Sequence, residues 1–389
     1  MAKRKKSEPL SGRLDITFLS LVLILLTIGL VMLFSASYAF SYEHYGNSYK
    51  FIIRQALFAT VGVAVMLVVS KIDYHFWRKF AWVLYVVSIG LLAVVKILPP
   101  MLEGKDVKRW IVIGPINFQP SEIAKFAVIL LFSSLIAANY KQMKSFKFVA
   151  FLVLLLALPC GLVVIEPHLS ATVLIFAIGI VLLIVGGLQK RYILGGIAVG
   201  LGGGVLAIAT GIIGYGSDRI KYWLDPWADA KNKGFQTIQS LLAIGSGGIL
   251  GRGIGQSRQK YLWLPEPHND FIFAIVCEEL GLVGAVVIIL IFCLLVWRGF
   301  TIAMRAKDKF GSLLAIGLTF QVGLQAMLNI WVVTNTIPNT GISLPFFSYG
   351  GTSLLILLAE MGIVLSVSRG AEMCIRDRVV LPTLVFRIF

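Results

Sequence analysis

Long apolar runs, each bounded by charged or turn-forming residues, recur along the chain from residue 16 to residue 367. Their lengths are close to the about 20 residues that a helix needs to cross the hydrocarbon core of a bilayer. We therefore expect an all-α integral membrane protein in which residues 16–369 form one transmembrane domain. The pattern predicts ten spanning helices, at Ile16–Phe34, Phe51–Ser70, Phe80–Leu98, Ile123–Asn139, Phe148–Ile165, Leu169–Gly187, Tyr192–Gly214, Phe271–Val296, Phe310–Val333 and Tyr349–Val367.

Basic residues distinguish the two sides of this predicted bundle. With the N-terminus inside, the inner segments hold seventeen Lys and Arg, whereas the short outer loops hold four. Because cytoplasmic loops are enriched in Lys and Arg, both termini are expected to be cytoplasmic, with residues 1–15 as a basic N-terminal segment. One outer loop, at about 215–270 between spans seven and eight, has over 50 residues. Long loops in compact proteins are usually functional or disordered, and this one contains tryptophans, so any chemistry is expected at the outer face of the cell membrane.

Composition supports the membrane interpretation. Of 389 residues, 58% are hydrophobic and 14% charged, whereas about 25% of the residues of a soluble domain are charged. The net charge of +16 is what basic cytoplasmic loops produce, so nucleic acid is not an expected partner. Residues 370–389 differ in character from the rest, and we expect this tail to be non-native.

Several catalytic classes lack the residues that they require. The four histidines are scattered without an H-E-x-x-H pattern, which argues against a zinc hydrolase. The glycine cluster Gly245–Gly251 does not form G-x-G-x-x-G, because Leu250 occupies the last glycine position. No Walker sequence is present either. We therefore expect no nucleotide cofactor.

Charged residues remain at the predicted outer helix ends. Pro120 and Ser121 are typical of a helix start, and Glu122 and Lys125, three residues apart, then share one helix face in the outer leaflet. Such a pair either only neutralises its own charge or belongs to a functional site, and the sequence leaves both interpretations open.

Asp270 lies where the long outer loop enters span eight. Position alone is equally consistent with a helix N-cap and with a catalytic carboxylate. Glu278 and Glu279 follow two turns deeper and cannot both face one cavity with Asp270, so we expect them to be buried structural partners. Two segments rich in helix breakers, Asn335–Pro338 and Pro345–Gly351, bracket a turn whose unwound backbone is expected to lie beside a cavity.

Four stretches of the chain form recognisable motifs, at Asp225–Asp229, Gly255–Lys260, Leu264–Phe273 with Glu278–Gly281, and Pro345–Gly351. Over about residues 15–369 the chain resembles, through these motifs, the SEDS family of shape, elongation, division and sporulation proteins. The Asp-Pro-Trp-Ala-Asp stretch is more similar to the division and sporulation branch, FtsW and SpoVE, than to RodA. Two departures are Asn269, where the family commonly has Thr, and Glu166–Ser170, which replaces a Pro-Asp-Leu-Gly form.

The resemblance implies a peptidoglycan glycosyltransferase that polymerises lipid II into β-1,4 glycan strands during septal or sporulation cell-wall synthesis. It implies that Asp270 is the catalytic base, that Glu122 and Lys125 form a functional pair, and that Arg109 and Arg219 lie near the cavity. The matching motifs supply further candidates for substrate binding, which are Gln119, Ser121, Glu266, His268 and Ser348.

Cofactors and partners follow from the same resemblance, and two alternatives stand beside it. A divalent cation, Mg²⁺ or Mn²⁺, is compatible with it, with Asp270 as the candidate ligand. The implied partners are lipid II, the nascent glycan, a class B penicillin-binding protein that acts as transpeptidase, other division proteins and the membrane itself. A lipid II flippase or a non-catalytic division scaffold are the alternatives: the first predicts no polymerase activity, and the second predicts that Asp270 is dispensable.

Overall fold

The computed structural model describes residues 12–97, 110–113, 116–166, 168–189, 191–192 and 221–370. The predicted seventh span, Tyr192–Gly214, lies outside the described residues apart from Tyr192. The helices with described bounds are α1 (Ile16–Tyr45), α2 (Lys50–Val69), α3 (His75–Arg78), α4 (Ala81–Ile97), α5 (Pro120–Ala138), α6 (Phe146–Ile165), α7 (Leu169–Val185), α8 (Phe235–Gly247), α9 (Ile272–Met304), α10 (Lys309–Val333) and α11 (Gly351–Gly370).

Nine of these helices coincide with nine of the ten predicted spans. Seven, namely α1, α2, α5, α6, α9, α10 and α11, are long and apolar enough to cross a membrane, and α4 and α7 are apolar helices of 17 residues each. The tight link between spans five and six is confirmed, because α6 ends at Ile165 and α7 begins at Leu169. The all-helical multi-pass architecture that the apolar pattern predicts is therefore the architecture of the described chain.

Short elements lie between the helices. Two 3₁₀-helices lie at Tyr140–Lys144 and Pro226–Asp229. A two-stranded antiparallel hairpin, β1 (Ile111–Ile113) with β2 (Ile116–Phe118), precedes α5, and the sequence analysis did not predict it. The hairpin is tied to the start of α11 by the Thr352 hydroxyl, which donates to the Asn117 carbonyl at 2.7 Å.

The segments predicted to be cytoplasmic meet at one end of the bundle. Tyr74 donates a hydrogen bond to Asp308 at 2.7 Å, which joins the loop after α2 to the loop before α10. At the same end, Arg298 of α9 forms an ion pair at 2.8 Å with Asp15, the N-cap residue of α1. The N-terminal segment and two predicted inner loops therefore share one side, as the count of basic residues requires.

Helix α9 is broken at Gly281, which the sequence analysis did not predict. Gly281 has φ +67°, and a Cβ there would overlap the backbone of Ile249 and Gly251. The Leu282 N–H donates to the Gly248 carbonyl at 2.9 Å, so the loop after α8 caps the lower helical piece. That piece, residues 282–304, has a length of about 34 Å at 1.5 Å per residue, which suffices to cross the bilayer.

Helices α5, α10 and α11 are the most enclosed spanning helices, and α5 packs against α4, α7 and α10. Their buried faces nevertheless carry polar residues, including Lys125, Gln325 and Glu360. Because polar groups at membrane depth are expensive unless they are partnered, these side chains mark the centre of the bundle as the place to search for a site.

Candidate functional site

Asp270 lies at the entry to α9, held by contacts from two other parts of the chain. The helix begins at Ile272 with Phe271 in the N-cap position, so Asp270 is one residue too early to be the cap. Its main-chain carbonyl accepts a hydrogen bond of 2.7 Å from Nδ2 of Asn329 on α10. Its carboxylate faces the loop after α10, where a Cβ built on Gly341 would lie 3.2 Å from Oδ2. The half-buried carboxylate is thus fixed through its backbone.

Ser348 and Glu266 support the residue before Asp270. The Ser348 hydroxyl donates to the Asn269 carbonyl at 2.7 Å and accepts from the Leu344 N–H at 2.7 Å. Glu266, in the left-handed region with φ +45°, accepts a 2.9 Å hydrogen bond from the Asn269 amide. Ser348 therefore supports the backbone that precedes Asp270, and Glu266 holds the Asn269 side chain. The predicted roles of both residues in substrate binding stay predictions.

His268 is also buried beside Asp270, among aromatic rings. Its imidazole centroid lies 4.8 Å from that of Phe40 on α1 and 4.5 Å from that of Phe51 on α2. Its carbonyl accepts from the Tyr349 N–H at 2.9 Å. His268 therefore anchors the end of the long loop against α1 and α2, and its predicted role in substrate binding stays a prediction.

Glu122 and Lys125 form the ion pair that their spacing predicts. Lys125 Nζ lies 2.9 Å from Glu122 Oε2 and donates to Oε1 of Gln325 on α10 at 3.0 Å. The Lys125 side chain is 1% exposed and that of Glu122 is 16% exposed. The cation is therefore enclosed, and the carboxylate is the member of the pair that borders accessible space.

The remaining predicted site residues differ in position. Gln119 precedes α5, and its amide approaches His168 Nδ1 at 3.4 Å. Ser121 is 1% exposed, within the first turn of α5. Arg109 and Arg219 lie outside the described residues, so their predicted positions near the cavity stay predictions. His168, to which the sequence analysis assigned no role, is thus a neighbour of a predicted site residue.

Glu278 and Glu279 form a separate buried network above the break in α9, as predicted for structural partners. Glu279 Oε1 accepts from Ser35 of α1 at 2.6 Å and lies 3.1 Å from Lys260 Nζ. Glu278 accepts from the backbone and the hydroxyl of the loop that contains Ser257. Each glutamate is 1% exposed, and the opposite charges are supplied by Lys260 beside Glu279 and by Arg252, whose Nε lies 3.8 Å from Glu278 Oε1.

Comparison with known proteins identifies the family. The model of the FtsW/RodA/SpoVE family, described as cell cycle proteins, matches residues 16–373. The chain belongs to this family. Among relatives of this FtsW/RodA/SpoVE chain, the stage V sporulation protein E of Bacillus subtilis is 39% identical over 375 residues, which cover 94% of this chain and 98% of the relative. A probable peptidoglycan glycosyltransferase FtsW of Geobacter is 39% identical over 363 residues, covering 92% and 98% of the two chains.

Solved structures of the family share the fold. One solved chain comes from a structure that reports the structural coordination of polymerization and crosslinking by a peptidoglycan synthase complex. It superposes with a TM-score of 0.74 at 26% identity, covering 92% of this chain and 98% of the solved chain. The rod shape determining protein RodA of Thermus thermophilus superposes with a TM-score of 0.68 at 27% identity, with the same coverage. These matches confirm both the predicted family and a multi-pass integral membrane protein.

The described part of this family member has no cluster of three or more His, Cys, Asp or Glu side chains arranged to hold a metal ion. Mg²⁺ is often bound by one or two carboxylates together with phosphate oxygens of a substrate, and Asp270 could contribute one such carboxylate. A divalent cation at Asp270 therefore stays a prediction.

Sequence reasoning missed a polar stripe on α10. Gln321, Gln325 and Asn329 are spaced by four residues, so they share one face of the helix. Gln321 donates to Glu360 of α11 at 2.9 Å, Gln325 accepts from Lys125, and Asn329 donates to the Asp270 carbonyl. The signal was available, because three amides at i, i+4 and i+8 in an apolar helix are unusual. This stripe connects Asp270 with the ion pair of Glu122 and Lys125, the two parts of the predicted site.

Proposed function

We propose that this chain is a peptidoglycan glycosyltransferase that polymerises lipid II into β-1,4 glycan strands during septal or sporulation cell-wall synthesis, with Asp270 as the general base. The observation that carries the proposal is the position of Asp270. Its carboxylate is half-buried, its backbone is fixed by Asn329, and it follows a loop anchored on α1 and α2. Family membership gives this geometry its chemistry, because relatives bear the name probable peptidoglycan glycosyltransferase.

The proposed reaction is a direct displacement at the anomeric carbon of the growing strand. The 4-hydroxyl of an incoming lipid II transfers its proton to the Asp270 carboxylate as its oxygen bonds to that carbon. The bond between the anomeric carbon and the lipid diphosphate breaks, and the diphosphate leaves with the electron pair. Inversion at the carbon gives the β-1,4 linkage. Holding both sugars against a fixed carboxylate supplies the proximity that such a two-substrate step requires.

Glu122 and Lys125 have different tasks in this proposal. Because Lys125 is enclosed and Glu122 is partly exposed, Glu122 is the group that hydroxyl or amide donors of the substrate reach. Lys125 holds the Glu122 carboxylate in place through the 2.9 Å ion pair. Arg109 and Arg219, together with a divalent cation, are proposed to stabilise the charge of the leaving diphosphate.

The site is proposed to open at the outer face of the membrane, where the acyl carrier of lipid II stays in the bilayer beside the bundle. A class B penicillin-binding protein is the proposed transpeptidase partner, and other division proteins are further proposed partners. The similarity to a chain of a peptidoglycan synthase complex supports a partner that crosslinks the product.

One observation favours a transport function as the second candidate. Glu360 of α11 is 1% exposed and accepts from Gln321, so the polar stripe of α10 continues toward the end of the bundle opposite to Asp270. A flippase needs polar groups along such a route. This alternative predicts that the purified chain binds lipid II and forms no glycan polymer.

The test is the conversion of Asp270→Asn in purified protein supplied with lipid II. Since Asp270 is not at the N-cap position, the amide preserves shape without removing a helix cap, and it removes the negative charge together with the ability to accept a proton. A general base contributes about 10²–10⁴-fold, so we expect polymer formation to fall by at least 100-fold while lipid II binding and melting change little. Glu43→Gln, which removes an exposed carboxylate at the same end of the bundle, is the matched control and should polymerise normally. Polymerisation by Asp270→Asn near the parental rate, in the presence of moenomycin to exclude contaminating polymerases, would show that the base is another group.

A further inference from the structure

Three consecutive residues of the loop after α10 contact three different parts of the site. A Cβ on Gly341 would approach Asp270 Oδ2 at 3.2 Å, the Ile342 carbonyl accepts from Asn329 Nδ2 at 2.6 Å, and Ser343 accepts from Gln325 Nε2 at 3.1 Å. Gln325 in turn accepts from Lys125. The segment Gly341–Ser343 is therefore the physical connection between the proposed base and the ion pair on α5.

Asn329 holds this segment and Asp270 together. One amide nitrogen donates to two carbonyl oxygens, of Asp270 at 2.7 Å and of Ile342 at 2.6 Å. The side chain is fully buried, so bulk water does not reach the amide nitrogen. Both partners are acceptors, which requires the nitrogen of the amide to face them. Only a side chain with two N–H donors at this position can make both hydrogen bonds.

The segment has further anchors outside α10. The Ser170 hydroxyl at the start of α7 donates to the Thr340 carbonyl, and the Asn339 amide donates to Gln236 of α8 at 3.1 Å. Three helices, α7, α8 and α10, therefore fix a stretch of irregular backbone, which membrane depth tolerates only where protein or a cavity surrounds it. Such rigid support is what a base that must be placed to within a fraction of an ångström requires.

We propose that Asn329 is a positioning residue of the transferase site, which acts by clamping the Asp270 backbone to Gly341–Ser343. The inference rests on the proposed function of Asp270, which contacts substrate, and adds Asn329 as a residue that does not. Removing the clamp displaces the base without removing it. A displacement of about 1 Å costs up to 100-fold in rate, so Asn329→Ala should lower kcat for lipid II polymerisation by 10–100-fold and change KM by less than about threefold.

The experiment is a double-mutant cycle in the purified full chain with lipid II as the probe. Asn329→Ala is combined with Asp270→Glu, which moves the base by one methylene. Residues that act through one another are non-additive, so we expect the double variant to differ at least threefold in kcat from the product of the single effects. Ser240→Ala is the matched control, because Ser240 is equally buried and donates to the Val333 carbonyl of α10 without touching Asp270. Its effect should be additive with Asp270→Glu.

The outcomes separate this inference from the proposed function. If Asp270→Asn abolishes polymerisation but Asn329→Ala keeps kcat within twofold of the parent, the clamp is wrong and the base stands. If Asp270→Asn polymerises normally, the proposed base itself fails. If Asp270→Glu is inactive, the changes in kcat and KM caused by Asn329→Ala are compared with those caused by Ser240→Ala, and this comparison decides whether the clamp exists. Where Asn329→Ala does not fold, Gly341→Ala replaces it, and a normal kcat for that variant would overturn the role of the segment.

Discussion

The ion pair between Glu122 and Lys125 allows stability and function to be separated by charge removal. At 2.9 Å and an effective dielectric constant of about 20, the Coulomb attraction is about 6 kcal/mol, before the cost of desolvating both groups. Glu122→Ala leaves a cation that is 1% exposed without its partner, and breaking a buried pair in this way costs about 3–5 kcal/mol. Lys125→Met leaves a carboxylate that regains water and a Gln325 oxygen without its donor, at about 1–3 kcal/mol.

The double variant Glu122→Gln with Lys125→Met removes both charges and keeps the volume of both side chains. Because no unpaired charge remains, we expect its melting temperature in detergent to lie close to that of the parent and well above that of Glu122→Ala. We also expect it to bind lipid II weakly and to form little polymer, since the exposed carboxylate is lost. Thermal unfolding and lipid II polymerisation are measured on the same preparations. Near-parental turnover by the double variant would show that the ion pair has a purely structural role. If the melting shifts of the two single variants added up in the double variant, the argument that removing both charges avoids an unpaired charge would be refuted.

Two further predictions concern the ends of the bundle. The hydrogen bond to Asp308 raises the pKa of His75 above its ordinary value, so the stabilisation that this contact provides is complete below about pH 6.5 and is lost as pH rises through the raised pKa. The melting difference between the parent and His75→Gln should therefore be largest near pH 6 and shrink toward alkaline pH, and a constant difference would contradict it. For orientation, a cysteine at the exposed position Gln256 should react with an impermeant thiol reagent in intact cells, whereas one at Ser145 should not; the opposite labelling would invert the predicted topology.

The spanning helices were predictable because apolar length is a local property of the chain. The same reasoning missed the break at Gly281, since the cause is a backbone contact with Gly251 in a different segment. The sequence pattern also assigned no role to the cluster Gly245–Gly251 and served only to exclude a nucleotide-binding loop there. The structure shows that two of these glycines, Gly247 and Gly251, let the end of α8 and the loop after it approach α9 where a Cβ would overlap the α9 backbone.

The site was predictable in its parts and not in its connections. The spacing of Glu122 and Lys125 predicts their ion pair, and the breaker-rich segments predict irregular backbone after α10. The hydrogen bond from Asn329 to Asp270 joins residues 59 positions apart, and no local pattern contains that information. Ser348 is the clearest example of what the sequence does not contain. A hydroxyl in a family motif can either support the backbone or bind a ligand, and the motif alone does not distinguish the two.

The break in α9 also bears on how the protein enters the membrane. If residues 272–304 inserted as one straight helix, Glu278 and Glu279 would meet lipid before Ser35 and Lys260 could partner them. A charged residue inside a span raises the insertion free energy, by up to about 2.5–3.5 kcal/mol where it lies at the centre. The piece after the break, residues 282–304, contains Arg298 as its one charged side chain, near the predicted inner end. This apolar piece can therefore partition into the bilayer first, and the two glutamates can remain at the predicted outer surface until α1 and the loop after α8 fold around them.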